Sequence, residues 1–333
     1  QAGSLLFWSW LMSAFATAAT LRKWDRDQEF LPWVIVVACV TLAFFLGLNI
    51  LFENPFARLY QTFDGNIAAY QFAPAGGVPV VPSDGRGLNP LLRHPGMIIH
   101  PPMLYLGFVA YVIPFAFAIA ALVTGRTDDR WIRLTRRWSL WAWLFLSFGL
   151  VLGGRWAYDV LGWGGYWGWD PVEIAAFMPW LTGTAFLHSV MIQEKRGLLK
   201  HWNMILIILT YALVVFGTFL TRSGVLSSVH AFATDPRRGL FILALLVVAI
   251  GGSLALYAWR APKVGIGGQF AALHGLAQRD GNRGSARRDP LIQQRPFNGR
   301  VRRGRGNHVA QQWTDGRVGE DRVQRGARGA SPA

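Results

Sequence analysis

The stretch LPWVIVVACVTLAFFLGLNILF, residues 31–52, contains no charged side chain in 22 consecutive positions. About 20 apolar residues in a helix are enough to cross the hydrocarbon core of a bilayer. The stretch therefore predicts a transmembrane helix. It also contains Cys39, the only cysteine of the chain, which we expect to be a small buried apolar side chain.

Six further apolar runs have the same character, and together they indicate the fold class. They are residues 5–21, 102–124, 138–152, 172–192, 204–220 and 240–259, of which 138–152 is the shortest. Of the 333 residues, 52% are hydrophobic and 15% are charged, whereas about a quarter of a soluble domain is charged. The pattern predicts an all-α, polytopic transmembrane helical bundle of about seven spans, not a signal peptide followed by a soluble domain.

The connecting segments predict the orientation of the bundle. Four short segments are dense in Lys and Arg: residues 22–27, 125–137, 193–201 and 260–263. The alternate segments, including 53–100 and the tryptophan-rich loop at 155–173, are longer or carry fewer cations. Basic loops remain on the cytoplasmic side. We therefore expect the tryptophan-rich loop to lie on the outer side of the membrane.

The last segment, residues 264–333, has a different composition. It contains 13 Arg, no Lys and five acidic residues, which supplies +8 of the net charge of +15. One reading is a disordered basic arm that binds nucleic acid or anionic lipid. Arg-, Gly- and Ala-rich sequence without Lys is also typical of a GC-rich gene translated out of frame. We favour this second interpretation. We therefore predict a membrane core at residues 5–263 and no nucleic-acid partner. Because the chain begins with Gln, we expect further residues before it.

Residues 162–173, GWGGYWGWDPVE, combine aromatic rings with glycines. Asp170, Pro171 and Glu173 form the start of a helix, with Asp170 as N-cap and Glu173 completing a capping box. An aromatic belt at the membrane interface is one interpretation of the rings. Rings separated by glycines also suit a flat, apolar ligand, because glycine lets the ligand approach the backbone while the rings offer stacking faces. We favour the second interpretation.

Three histidines are candidate iron ligands. His100 and His230 lie in the outer segments that flank the tryptophan-rich loop, and His188 lies within the fifth span. Paired imidazoles are a common way to hold haem iron. Taken singly, His100 also fits a turn residue beside proline and His230 a solvated loop residue. An ionisable group inside a span usually has a functional partner, which favours a role for His188.

With these residues identified, the sequence resembles a known family. GRWAYDVLGWGGYWGWDPVE is similar to the WWD signature of the cytochrome c maturation haem lyases of the CcmF/NrfE type. Other matching motifs are NPFARLY, GRGLNPLLRHPGMIIHPPMLY, MPWLTGTAFLHS and GTFLTRSGVLSSVHAFATDPRRGLFILA, and the resemblance covers roughly residues 5–263. Two positions depart from the pattern: Tyr166 stands where tryptophan is usual, and Gly168 where a bulky aromatic is common. We expect a modified platform at these positions.

The resemblance implies a set of haem-binding residues. His100 and His230 would be the axial ligands of the outer haem, and His188 one ligand of a b-type membrane haem whose other histidine lies beyond this chain. The haem platform would comprise Trp156, Trp163, Gly164, Gly165, Tyr166, Trp167, Trp169 and Asp170. Arg155 and Arg222, predicted on the same side, are candidates for pairing the haem propionates, with ordinary interfacial arginines as the alternative.

The resemblance also implies a function in cytochrome c biogenesis. The protein would receive haem from a periplasmic haem chaperone and position it for thioether attachment to a CxxCH apocytochrome c, as a component of a holocytochrome c synthase. Partners that reduce and present the apocytochrome thiols, and a quinol that supplies electrons, would assist. The chain itself has neither CxxC nor CxxCH, which excludes a thiol–disulfide relay. The alternatives are a membrane protein that binds or exports haem without lyase activity, and an inactive truncated lyase.

Overall fold

Helices dominate the residues that the computed structural model describes, which are 2–21, 27–52, 54–85, 87–228 and 236–264. Eight α-helices lie within these ranges: α1 (Ala2–Thr20), α2 (Leu31–Leu51), α3 (Gly96–Ala110), α4 (Val112–Thr124), α5 (Arg130–Val160), α6 (Pro171–Arg196), α7 (Lys200–Ser223) and α8 (Pro236–Val264). Since α3 and α4 form one continuous span, the described residues contain seven candidate membrane spans. The predicted seven-span helical membrane bundle is confirmed. His230 and residues 265–333 of the predicted tail lie outside the described residues.

The fifth helix, α5, extends well beyond the apolar run that predicted it. It has 31 residues, whereas the run covered only 138–152. At its first turns, Arg130 pairs with Asp27 at 3.3 Å and Arg136 with Glu194 at 3.3 Å. Hydropathy identifies only the part of a helix that lies in the hydrocarbon core of the membrane. The sequence analysis therefore did not predict these polar turns. The helix also continues to Val160, which reduces the tryptophan-rich loop from the predicted 155–173 to residues 161–170.

A small antiparallel sheet forms between α2 and α3. Its central strand β1 (Arg58–Gln61) pairs with β2 (Ile67–Tyr70) on one side and with β3 (Val78–Pro79) on the other. A 3₁₀ helix at Pro90–Arg93 then leads into α3. The sequence did not predict the sheet, because strands of two to four residues are too short to show a clear alternation of polar and apolar positions.

Helix α4 lies at the centre of the bundle. It contacts α1, α2, α5, α7 and α8 as well as α3, and alanines at several buried positions allow these neighbours to approach closely. Helix α2, by contrast, is buried on one side only. Cys39 lies on its other side and is exposed, so the expectation that the thiol would be buried was wrong. A span at the surface of a bundle can turn apolar residues toward lipid, which hydropathy alone does not reveal.

Helices α3 and α5 run antiparallel and pack against each other at glycines. At three successive levels a glycine on one helix faces a larger residue on the other, so that an added Cβ would lie 2.5–2.7 Å from its neighbour. These pairs are Gly107 with Leu146, Gly149 with Leu104, and Gly153 with the ring of His100. Small residues at a membrane helix interface let the backbones approach, which increases van der Waals contact and fixes the register. The glycines therefore determine where His100 lies along α5.

We predict that Gly107→Ala lowers the stability of the bundle. The new Cβ would lie 2.5 Å from the backbone nitrogen of Leu146, which cannot move without displacing α5. Overpacking of this kind costs about 1–3 kcal/mol. The measurement is the apparent melting temperature of the protein in detergent. Gly252→Ala in α8, where a Cβ meets nothing within 4 Å, is the matched control and should melt no lower than the wild type. Equal melting temperatures for the two variants would contradict the proposed packing.

Candidate functional site

His100 is held in one orientation by the backbone of α5. Its Nδ1 lies 2.8 Å from the carbonyl oxygen of Gly149. Because a carbonyl only accepts, Nδ1 carries the proton, and the neutral ring has its lone pair on Nε2. In metal-binding histidines, the ring nitrogen that does not bind the metal usually donates a hydrogen bond to a carbonyl or carboxylate oxygen. This hydrogen bond fixes the orientation of the imidazole. Gly153 leaves the space that the ring occupies.

Two cavities meet at His100. The larger has a volume of about 190 Å³ and is also lined by Tyr105 and Arg222. The smaller, about 60 Å³, is also lined by Trp167 and Glu173. Pockets that enclose a cofactor usually have volumes of about 300–1,000 Å³. Both cavities are smaller than this, so a ligand of cofactor size at His100 would lie partly outside the helices.

The two arginines predicted to bind acidic groups have different surroundings. Arg222, near the end of α7, is only 3% exposed and donates to the hydroxyl oxygens of Ser4 and Tyr105, both at 3.0 Å. It lines the same cavity as His100. Arg155 is exposed on α5 and pairs with Asp159 at 2.9 Å. The structure therefore brings Arg222, but not Arg155, to the cavity that His100 lines.

The tryptophan loop, residues 161–170, is tied to the first turn of α6. The predicted capping box is present: Asp170 accepts from the Val172 amide at 3.1 Å, and Glu173 accepts from the Asp170 amide at 3.1 Å. Glu173 also accepts from the Gly168 amide at 3.0 Å. Each hydrogen bond to a carboxylate is worth about 1.5–3 kcal/mol. The carboxylate of Glu173 thus holds the loop backbone on both sides of Trp169.

Asp170 also links the loop to the segment that follows α7. The hydroxyl of Ser228 donates to Oδ2 of Asp170. Ser228 is two residues before His230, which lies outside the described residues. Ser228 therefore lies beside the N-terminus of α6, where Val172 and Ala176 line both cavities at His100.

Most of the aromatic rings predicted as a platform are exposed in the tryptophan loop. Trp163, Tyr166 and Trp169 are exposed, and Tyr166 stacks on Tyr158 with ring centroids 4.6 Å apart. Trp167 is half-buried, and its Nε1 is buried without a hydrogen-bond partner among the described residues. Buried indole N–H groups usually have a partner, so the Nε1 of Trp167 is an unsatisfied donor among the described residues.

Trp156, the remaining tryptophan of the predicted platform, is buried. It is only 4% exposed, and its Nε1 donates to the carbonyl of Leu91 at 3.3 Å. Its side chain thus anchors the segment before α3 to α5 and offers no open ring face. Composition could not distinguish this ring from the others, because its burial depends on a contact with a residue 65 positions away.

Trp169 has a strained backbone. Its φ is +56°, in the left-handed region that bulky residues rarely adopt. The strain costs about 1–3 kcal/mol, and the side chain recovers little of it by packing, since it is 68% exposed. A large apolar ring held in this way is typical of a residue that contacts a ligand.

Gly168, where the resemblance leads one to expect a bulky aromatic, has its side-chain space filled. A Cβ there would lie 2.5 Å from the ring of Trp163. Gly164 and Gly165, in contrast, have nothing within 4 Å of an added Cβ. Trp163 therefore lies over Gly168, and open backbone remains at Gly164 and Gly165.

His188 lies in a second, separate cavity of about 210 Å³ between α5 and α6. Its Nδ1 lies 2.8 Å from the carbonyl of Thr184, which again leaves the lone pair on Nε2. The side chain is exposed at the surface of the described bundle. Helix α6 continues to Arg196, about two turns beyond His188.

Comparison with known proteins identifies the family of the chain. The profile of a family described as cytochrome C assembly protein matches residues 1–226. The chain is 49% identical over 262 residues to the cytochrome c-type biogenesis protein CcmF of Pseudomonas aeruginosa, covering 79% of this chain and 37% of the relative. It is 40% identical to a probable cytochrome c-type biogenesis protein, NrfE, of Escherichia coli, covering 81% and 46%.

The chain belongs to the cytochrome c assembly protein family. A solved structure described as the cytochrome c haem lyase CcmF is 34% identical, with a TM-score of 0.58, over 78% of this chain and 36% of that one. The chain spans less than half the length of these relatives. The predicted family and the helical membrane fold are confirmed.

Several residues of the site were missed by sequence reasoning. Tyr105 and Ser228 carried no signal, because each acts through a hydrogen bond to a distant residue. Glu173 was recognised only as part of a helix cap. Gly149 and Gly153 carried a signal that could have been used, since glycines four residues apart in a span mark a close helix contact.

We predict that Glu173→Ala loosens the tryptophan loop without unfolding the bundle. The amides of Gly168 and Asp170 would lose their carboxylate acceptor, so their hydrogen exchange should accelerate by about tenfold or more. Hydrogen exchange of the purified protein, followed by mass spectrometry, measures this. Glu194→Ala removes a carboxylate near the other end of the same helix, where it pairs with Arg136, and should leave exchange in the loop unchanged. Unchanged loop exchange in Glu173→Ala would refute the anchoring role.

Proposed function

We propose that this chain binds haem at the tryptophan loop and positions it for covalent attachment to a CxxCH apocytochrome c, as part of a cytochrome c haem lyase. The observation that carries the proposal is the position of His100, whose ring is held by the Nδ1–Gly149 hydrogen bond where two cavities meet, so that Nε2 would be the nitrogen that binds iron. Membership of the cytochrome c assembly family supports the same substrate.

The remaining groups suit the other parts of a haem molecule. The exposed rings of Trp163 and Trp169 and the open backbone at Gly164 provide stacking surface for a flat macrocycle. Arg222 is a buried cation in the cavity that His100 lines, and a guanidinium suits a propionate carboxylate. Arg155 already pairs with Asp159, so Arg222 is the better candidate of the two. His230 would supply the second axial ligand, from the segment that Ser228 ties to Asp170.

Attachment of haem to the apocytochrome requires correct positioning of the haem more than it requires acid–base groups. Addition of a thiol across a haem vinyl group forms one C–S bond and one C–H bond, so it consumes neither oxidant nor reductant. The thiols would come from the apocytochrome, which agrees with the single, distant Cys39 of this chain. The contribution of His100, Arg222 and the loop is to hold the haem in one orientation while the peptide approaches, which lowers the entropic cost of the reaction.

The proposal also includes partner proteins and a second haem. The haem would be delivered by a periplasmic haem chaperone, and other partners would reduce and present the apocytochrome thiols. His188 would supply one axial ligand of a b-type haem, reduced by quinol, that keeps the transferred iron in the ferrous state. No second histidine lines its cavity, so the other ligand would come from outside the described residues. We place the chain in the bacterial inner membrane with the tryptophan loop in the periplasm, because the segment before α5 is rich in arginine.

We predict that His100→Ala abolishes most haem binding at the tryptophan loop. The absorption spectrum of the protein, purified after coexpression with a haem chaperone, should lose the Soret intensity of the outer haem and keep that of the membrane haem. His201→Ala is the control, because His201 at the other end of the bundle contacts Tyr257 and lies away from both cavities. His188→Ala should remove only the membrane-haem part of the spectrum. Wild-type haem content in His100→Ala would overturn the proposed site.

A coexpressed CxxCH apocytochrome separates haem attachment from haem transport. Covalent haem on the apocytochrome, seen as haem staining after denaturing electrophoresis, is expected with the wild type and absent with His100→Ala. Bound haem without any covalent product would instead indicate a protein that carries or exports haem.

We predict that Trp169→Gly raises stability while it lowers haem binding. Glycine adopts a positive φ without strain, so about 1 kcal/mol or more should be gained. The variant also loses an exposed ring that would stack on the ligand. The melting temperature without haem and the haem affinity from a spectroscopic titration measure the two effects. Loss of both stability and affinity would show that Trp169 is structural.

A further inference from the structure

A cavity of about 810 Å³ lies at the end of the bundle opposite the tryptophan loop, between α1, α3 and α5. Its wall is largely aromatic and aliphatic, with Phe15, Leu106, Trp138, Trp141 and Phe145 among the lining residues. Arg133 and Arg137 also line it, one turn apart on α5. Neither haem site includes any of these residues.

The arginines in residues 126–137 fall into two groups. Arg126, Arg130 and Arg136 each pair with a carboxylate, which belongs to Glu29, Asp27 and Glu194 respectively. Within the described part of the chain, Arg133 and Arg137 have no acidic partner, although both are exposed. The two cations without a carboxylate are therefore the two that line the cavity.

The length of the cavity wall matches one leaflet of a bilayer. From Arg133 to Phe145, α5 rises through 12 residues, or about 18 Å. Half of the hydrocarbon core of a bilayer is about 15 Å thick. The wall thus has cations at one end and an apolar, aromatic surface along the remainder, in the order that a phospholipid presents its phosphate and acyl chain.

We propose that this cavity is a binding site for an anionic phospholipid. The phosphate contacts Arg133 and Arg137, whose guanidinium groups match phosphate oxygens in geometry and charge. One acyl chain lies along Trp138, Trp141 and Phe145. Basic pockets between transmembrane helices at the cytoplasmic surface bind anionic head groups in the same way. The proposal does not depend on the haem-binding function.

The charge distribution argues against other occupants. A quinol has an uncharged head group and would leave two guanidinium groups without a counter-charge. An additional apolar helix in the cavity would likewise offer these guanidinium groups no counter-charge. An anionic lipid satisfies both the cations and the apolar wall.

Native mass spectrometry of the detergent-purified chain tests the proposal. The probes are cardiolipin, phosphatidylglycerol and the zwitterionic phosphatidylcholine, titrated into wild type and into the Arg133→Gln/Arg137→Gln double variant. We expect one anionic lipid to bind tightly to the wild type, and the double variant to bind it about 30-fold more weakly, from two cations each worth roughly a factor of five. Arg126→Gln, which removes a cation paired with Glu29 outside the cavity, should bind as the wild type does.

Two further measurements separate the site from general charge effects. Trp141→Ala keeps both cations but removes part of the apolar wall, and should weaken anionic lipid binding while leaving the preference for anionic over zwitterionic lipid. Glycerol 3-phosphate, which lacks acyl chains, should not displace the lipid. Equal binding of phosphatidylcholine, equal loss in Arg126→Gln, or full binding by the double variant would each overturn the proposal.

Discussion

The close packing of α3 against α5 is the constraint on which the rest of the structure depends. At each level of the contact, one of the two facing residues is a glycine. The two backbones therefore approach closely enough for the carbonyl of Gly149 to accept a hydrogen bond from the ring of His100. The same contact therefore builds the membrane bundle and selects the tautomer of the candidate iron ligand. In a membrane, where apolar side chains gain little by leaving lipid, such packing is a main source of helix association.

A second set of contacts fixes the backbone of the tryptophan loop. Glu173 binds two loop amides, and Asp170 accepts from Ser228 in the segment that leads to His230. The loop is thus attached to α6 and to the end of α7 at once. This attachment holds Trp169 in a strained conformation with its ring exposed. A rigid, preorganised surface of this kind suits a ligand that must be held in one orientation while a second molecule reacts with it.

The two ends of α5 have opposite chemistry. Near the tryptophan loop, the cavities at His100 are lined mainly by apolar groups, together with one buried cation, Arg222, and one carboxylate, Glu173. At the other end arginines dominate, and most of them are neutralised by carboxylates from neighbouring segments. A single long helix therefore joins the candidate site at His100 to the proposed lipid-binding surface. The separation follows from the membrane itself, because charge is tolerated at its surfaces and excluded from its centre.

The sequence by itself determined the seven spans, the capping box at Asp170, the family and the candidate histidines, because hydropathy, helix capping and motif are properties of neighbouring residues. Only the tertiary structure decided that Trp156 is buried, that Cys39 is exposed, that Arg222 and not Arg155 shares a cavity with His100, and that α5 extends to Arg130. Each of these depends on a contact between segments far apart in the chain, or on which face of a helix meets lipid. An apolar span has the same composition on either face, so hydropathy alone cannot tell which residues pack inside.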